Sequence, residues 1–126
     1  MSFVYRLRIR DKFSSAHYLR NYNGKCESLH GHNFKVEVEV YGQKLSQDTE
    51  ILIDFKELKK MLKKILEDLD HTLLNDLDYF RVSNPSSENI AAYIYKKLKS
   101  KLPASVQLKY VMVAESDTSM AFVEEE

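Results

Sequence analysis

Two stretches near the N-terminus alternate apolar and charged residues. From Phe3 to His17 the odd positions Phe3, Tyr5, Leu7, Ile9 and Phe13 are apolar, and the even positions include Arg6, Arg8, Arg10 and Lys12. Period two over such a length predicts a half-buried β-strand. Asp11 interrupts the apolar row, which leaves room for a bulge that would shift the parity beyond it. A second strand is predicted from about His30 to Tyr41. Phe34, Val36, Val38 and Val40 line one of its faces; Asn33, Lys35, Glu37 and Glu39 line the other. Residues 18–29 lack a period and contain Asn23-Gly24, a turn signal, so they read as a loop. After a polar turn over 43–49, Ile51-Leu52-Ile53 reads as a short extended run.

The period then changes. Phe55, Leu58, Met61, Leu62, Ile65, Leu66 and Leu69 recur at helical spacing. Asp54 is the predicted N-cap, with Glu57 placed as in a capping box. This helix ends near Leu69 and delivers Asp70 and His71 at its edge. A second helix starts near Pro85-Ser86-Ser87-Glu88, buries Ile90, Ala91, Ile94, Leu98 and Leu102, and is stopped by Pro103. Two more strands follow, Val106 to about Glu115 and about Thr118 to Val123. The order β-β-α-α-β-β predicts an α+β fold, a four-stranded antiparallel sheet with two helices on one face.

Composition narrows the class. A length of 126 residues suggests one domain, 1–126. Hydrophobic content of 44% with 30% charged residues describes a folded globular chain. The formal net charge is zero, so no global field favours nucleic acid or an anionic membrane as partner. No apolar run approaches a membrane span, and no signal-peptide core opens the chain. One cysteine makes no internal disulfide, which fits a reducing, cytoplasmic compartment.

That cysteine lies in Cys26-Glu-Ser-Leu-His30-Gly-His32, together with two of the four histidines. His30 and His32 share the parity of the valines, so both imidazoles lead into the buried face. His17 ends the first strand in its apolar parity and joins them if the two strands are neighbours. Three neutral imidazoles suit a catalytic metal site with an open fourth position. Ordinary part-buried histidines remain the alternative. A lone cysteine is most often an inert buried thiol, but Cys26 sits in a polar loop beside Lys25, which leaves a ligand or a reactive role open. Asp70-His71 pairs a carboxylate with an imidazole at a helix end, where the helix dipole alone also favours histidine. Glu115 ends an apolar strand and either emerges into solvent or enters a pocket.

FSSAH (13–17), KCESLHGHNFKVEV (25–38), IDFKELK (53–59), LDHTLLN (69–75), NPSSENIAAYI (84–94) and VAES (113–116), in this order, resemble the 6-pyruvoyl- and 6-carboxy-tetrahydropterin synthase family. The resemblance implies the tunnelling fold, in which subunits join their sheets into an oligomeric barrel, here a homohexamer built as a dimer of trimers. It implies Zn²⁺ on His17, His30 and His32, Cys26 as general base, and Asp70 and His71 as a proton relay. It further implies Glu115 as the pterin anchor, with Ser87 and Glu88 beside it. The Cys-x3-His-x-His spacing is similar to the 6-carboxy branch, which feeds queuosine biosynthesis. That branch takes the pterin triphosphate 7,8-dihydroneopterin triphosphate to 6-carboxy-5,6,7,8-tetrahydropterin, acetaldehyde and triphosphate. The pyruvoyl branch eliminates triphosphate without losing the side chain. A non-catalytic protein that binds zinc and pterin is a third possibility. The chain departs from the family at Tyr18, where Arg is common; Arg20, Lys25 and Lys35 are the candidate triphosphate contacts.

Overall fold

The computed structural model describes all 126 residues. Strand β1 runs Tyr5–His17 and β2 runs His30–Gly42. Helix α1, Phe55–Glu67, follows, then a 3₁₀ turn at Leu74–Asp76 and a short helix α2, Asp78–Val82. Helix α3, Ser87–Lys99, precedes β3, Gln107–Ser116, and β4, Ser119–Val123. The four strands form one antiparallel sheet in sequence order. The predicted order thus holds, with α2 inserted between the two long helices. No run of helical spacing announces α2; its anchor is the fully buried Phe80. Ile51–Ile53 is not a strand: it bends, and tucks Leu52 and Ile53 into the core.

The inner face of the sheet is the one the alternation marks. Ile9, Phe13, Phe34, Val36, Val38 and Val40 share a core with Leu58, Leu62, Ile65 and Leu66 of α1 and Ile90, Ala91, Ile94 and Leu98 of α3. Asp54 caps α1 through a hydrogen bond accepted from the Lys56 N–H (2.8 Å). The bond satisfies an N–H that no earlier turn can reach.

Asp11 causes no bulge. The β1–β2 register runs unbroken from Tyr5 opposite Gly42 to His17 opposite His30. The irregularities fall elsewhere, at Glu39/Val40 against β3 and at Ala114/Ser116 against β4. On the outer face, Glu37 and Glu39 are only 7% and 1% exposed. Arg6 and Arg8 both donate to Glu39 (2.9 and 2.6 Å), and Arg10 donates to Glu37 (2.7 Å). The Tyr110 hydroxyl donates to the other Glu37 oxygen (2.5 Å). These bonds hold both carboxyls below the usual range: the Tyr110 bond leads for Glu37, the Arg6 bond for Glu39. Burial, followed by the Glu37 bond, pushes Tyr110 up to about 12.

Gly42 ends β2 where the chain passes close to its neighbours. A Cβ there would sit 2.7 Å from both the Ser105 carbonyl oxygen and Leu52 Cδ1. Gly42→Ala is therefore expected to destabilise the fold by about 1–3 kcal/mol, read as a lower urea midpoint at unchanged slope.

Candidate active site

The β1–β2 register sets His17 directly opposite His30, and His32 opposite Ser15. All three imidazoles project from the inner face, as the parity predicts. Their ring centroids form a triangle with sides of 4.7, 4.8 and 5.4 Å. Fully buried Phe34, two residues beyond His32, is the floor beneath them, 5.3 Å from the His17 ring and 5.4 Å from the His32 ring.

The ring nitrogens are sorted by their partners. His17 Nδ1 lies 2.7 Å from the Pro85 carbonyl oxygen, and His30 Nδ1 lies 2.8 Å from that of Ser28. A carbonyl only accepts, so each Nδ1 carries the proton and each Nε2 presents a lone pair. The Nε2 atoms of His17 and His32 are buried and meet no hydrogen-bond partner. Buried polar atoms without partners are rare and call for an explanation. One donor atom from each histidine lies within 4.8 Å of the others. This set fits a divalent metal ion: neutral nitrogens, each able to offer one lone pair, and carbonyls behind two rings fixing the tautomer. Burial is the leading cause that lowers the His17 pKa from its ordinary value, a direction that favours the neutral, ligating form of the imidazole.

Glu115, on β3, faces this centre. Its Oε1 is 3.9 Å from His17 Nε2, and its Oε2 is 3.9 Å from His32 Nε2. The Ser87 hydroxyl donates to Oε1 (3.0 Å) and aims the carboxylate. Ser87 can do so because Ser86 caps α3, accepting the Asn89 N–H (3.1 Å), so the helix opens beside β3. The structure thus brings together five of the sequence-predicted residues: His17, His30, His32, Glu115 and Ser87. Glu88 is exposed in the first turn of α3.

Asp70 and His71 form a second group, at the edge of β1. The His71 and Asp70 side chains bond each other, Nδ1 to Oδ2, at 2.9 Å. The other Asp70 oxygen accepts the Ser14 N–H (2.8 Å), the leading cause that holds this carboxyl below its usual range. The His71 N–H donates to the Ser14 carbonyl (2.6 Å), and the Ala16 N–H to the Thr72 carbonyl (3.0 Å). These bonds hold His71 at φ 54°, a left-handed conformation that costs a side-chain-bearing residue on the order of 1 kcal/mol. His71 and His32 both line a cavity of about 520 Å³ with Ser14 and Asn33.

Cys26 stands apart from the three-histidine cluster. Its thiol is exposed on the loop between β1 and β2. Of the three cations considered for a triphosphate, two are otherwise engaged. The Arg20 guanidinium donates to the Phe80 and Ser83 carbonyls (2.6 and 2.9 Å) at the end of α2. Lys35 pairs with Asp117 and, by parity, sits on the sheet face away from His32. Lys25 remains. Sequence reasoning also passed over Asn75 and Asn84, which grip the backbone on either side of Leu19; both lie within the motifs LDHTLLN and NPSSENIAAYI.

Residues 6–126 match the family model described as 6-pyruvoyl tetrahydropterin synthase. The 6-carboxy-5,6,7,8-tetrahydropterin synthase of Synechocystis is 40% identical over 114 residues, covering 86% of this chain and 84% of that protein. The dihydroneopterin monophosphate aldolase of Pyrococcus furiosus is 34% identical over 112 residues, covering 89% and 90%. The solved structure of Caenorhabditis elegans 6-pyruvoyl tetrahydropterin synthase superposes with a TM-score of 0.83 at 26% identity, over 99% of this chain and 98% of that one. The chain belongs to the 6-pyruvoyl tetrahydropterin synthase family, and with it to the lyases.

The depressed His17 pKa has a consequence for stability. Between pH 6.5, the ordinary imidazole value, and the lower value of the folded chain, the unfolded chain takes up a proton at His17 that the folded chain has not yet taken. The metal-free protein should therefore lose stability as the pH falls through that window. His17→Gln should flatten this part of the profile, as measured by the urea midpoint at several pH values.

Proposed function

We propose that residues 1–126 act as one domain, a zinc-dependent lyase that converts 7,8-dihydroneopterin triphosphate to 6-carboxy-5,6,7,8-tetrahydropterin, acetaldehyde and triphosphate, within queuosine biosynthesis. The observation that carries this reading is the placement of Glu115. A carboxylate 3.9 Å from two of the three imidazole Nε2 atoms can hold the guanidine-like edge of a pterin by paired hydrogen bonds. The substrate's side chain is then kept close to the histidine centre. The Cys-x3-His-x-His spacing favours the carboxy product over the pyruvoyl one.

His17, His30 and His32 would hold Zn²⁺, which when bound supplies Lewis acidity toward the side-chain hydroxyls. Glu115, steadied by Ser87, orients the ring, with Glu88 at the mouth of the same helix end. Cys26, as thiolate, takes a proton from the side chain. His71 moves protons, and Asp70 fixes its tautomer while bound to the Ser14 N–H. The carboxy and pyruvoyl outcomes differ by one step: addition of water and cleavage of a carbon–carbon bond, which releases acetaldehyde.

The edge strands β1, up to Phe13, and β4 pair with no further strand, and with exposed Phe3, Val4, Met120 and Phe122 near them they support assembly of copies into a barrel, as a homohexamer. No helix is long and apolar enough to cross a membrane. A cytoplasmic setting follows from the same reading.

A second reading takes a substrate with fewer phosphates, as in the reaction named for the Pyrococcus furiosus relative. It is favoured by Arg20, whose guanidinium is spent on the Phe80 and Ser83 carbonyls.

Product analysis separates the readings. Zinc-loaded protein given dihydroneopterin triphosphate should release acetaldehyde and triphosphate. Pyruvoyl product without acetaldehyde, or turnover of the monophosphate alone, would overturn the first choice. Cys26→Ala should lower turnover by about 10²–10⁴-fold and leave the metal content at one ion per chain. Loss of the metal in that variant would instead make the cysteine a ligand.

A further inference from the structure

Directly after the ligand His17, the chain enters a three-residue stretch, Tyr18-Leu19-Arg20, that belongs to no strand. Every backbone N–H and C=O in it is nevertheless bonded. Asn75 accepts the Tyr18 N–H (3.0 Å) and donates its amide to the Tyr18 carbonyl (2.9 Å). Asn84 does the same for Arg20, at 2.9 and 2.8 Å. Leu19, between them, is held by Glu27: the Leu19 N–H reaches Glu27 Oε1 (3.2 Å), and the Glu27 N–H donates to the Leu19 carbonyl (2.8 Å).

The choice of asparagine has a chemical reason. Its side-chain amide is the peptide group in miniature, a carbonyl acceptor and an N–H donor side by side. Two such side chains stand in for the strand that is missing beside 18–20. Asn75 is only 5% exposed, a burial that is unfavourable unless its amide is matched, as it is here.

Both clamps stand on supports already tied to the site. Asn75 sits in the 3₁₀ turn just beyond Leu73, which bridges to Ala16 of β1. The backbone carbonyl of Asn84 accepts the Asn89 side-chain amide (2.9 Å) in the first turn of α3. The next residue, Pro85, gives its carbonyl to His17. The far arm of the loop is tied back too. Tyr22 and Lys25 bridge across a tight turn in which Asn23 and Gly24 both have positive φ, 52° and 80°. Cys26 follows at once, and Glu27 closes the loop onto Leu19. The thiol is thus one residue from a bond to the clamped stretch.

We propose that Asn75 and Asn84 are positioning residues that hold Tyr18–Arg20, and through Glu27 the backbone carrying Cys26, at a fixed place relative to the histidine centre. The catalytic part of this inference rests on the reading of Cys26 as the base. The amides touch neither substrate nor metal. They convert a loop that would otherwise sample many positions into an extension of β1, and proton transfer needs its partners placed to within a fraction of a hydrogen-bond length.

The test uses the full chain. Asn84→Asp keeps the acceptor for the Arg20 N–H but sets a carboxylate oxygen against the Arg20 carbonyl, so one bond becomes a repulsion. Asn75→Asp does the same at Tyr18; should it fail to fold, the less buried Asn84 carries the experiment. Metal content should stay at one ion per chain, because the ligands lie on β1 and β2. Turnover should fall by about ten- to a hundredfold with KM unchanged, since the ring is held elsewhere. In a Cys26→Ala background the same substitution should change turnover little further. An equal fold-loss in both backgrounds would show action by another route and overturn the proposal.

A second readout does not depend on activity. Because the chain has one cysteine, a nitroxide can be attached at Cys26 alone. Its spectrum should be restricted in the parent protein and freer in either Asn→Asp variant. An unchanged spectrum would also overturn the proposal. Should Cys26→Ala leave turnover intact, the assignment of the base fails by itself, and the nitroxide result alone decides whether the amides position the loop.

Discussion

The β1–β2 register is the constraint on which the site depends. His17 faces His30 across the ladder, and His32 lies two residues further along the same face. Because the side-chain period in a strand is two, a slip of one residue would turn the histidines of one strand away from those of the other. Both faces of the sheet oppose such a slip. On the inner face, Phe13 stacks on Phe34 at 4.9 Å and the valines enter the core. On the outer face, Arg8 lies opposite Glu39 and Arg10 opposite Glu37, and both pairs are bonded. A slip would leave two largely buried carboxylates without their arginines, a heavier cost than losing an exposed ion pair.

The N-terminus of α3 is the second organiser. Within four residues, Asn84 grips the Arg20 backbone, the Pro85 carbonyl accepts a hydrogen bond from His17 Nδ1–H, Ser86 caps the helix and Ser87 aims Glu115. One helix start thereby fixes His17, Glu115 and the beginning of the Cys26 loop. The Asp70–His71 pair is built on a separate support, the carbonyl and N–H of Ser14, and accepts a strained backbone at His71 in return for a fixed direction.

Much of this was legible in the sequence where the signal is local and periodic. The histidine parity, the core rows of β1 and β2, the stripe of α1 and its Asp54 cap all depend on neighbours along the chain. The rest depends on neighbours in space. Arg20 announces a charge but not its partners, and the structure gives it to the end of α2 instead of to an anion. Asp11 disturbs an apolar row without breaking the ladder, because its place opposite Val36 is only part-buried. Asn75 and Asn84 look like ordinary loop residues until the strand they replace is seen to be missing. Ile51–Ile53 has strand composition, yet Leu52 and Ile53 turn into the core instead of pairing with a strand.

Three imidazoles, without the cysteine, are placed to hold the metal ion. X-ray absorption on the zinc-loaded protein tests this most directly. Three imidazole nitrogens at about 2.0–2.1 Å and no sulfur neighbour are expected. A zinc–sulfur distance of about 2.3 Å would place Cys26 in the coordination sphere and contradict its proposed role as a base.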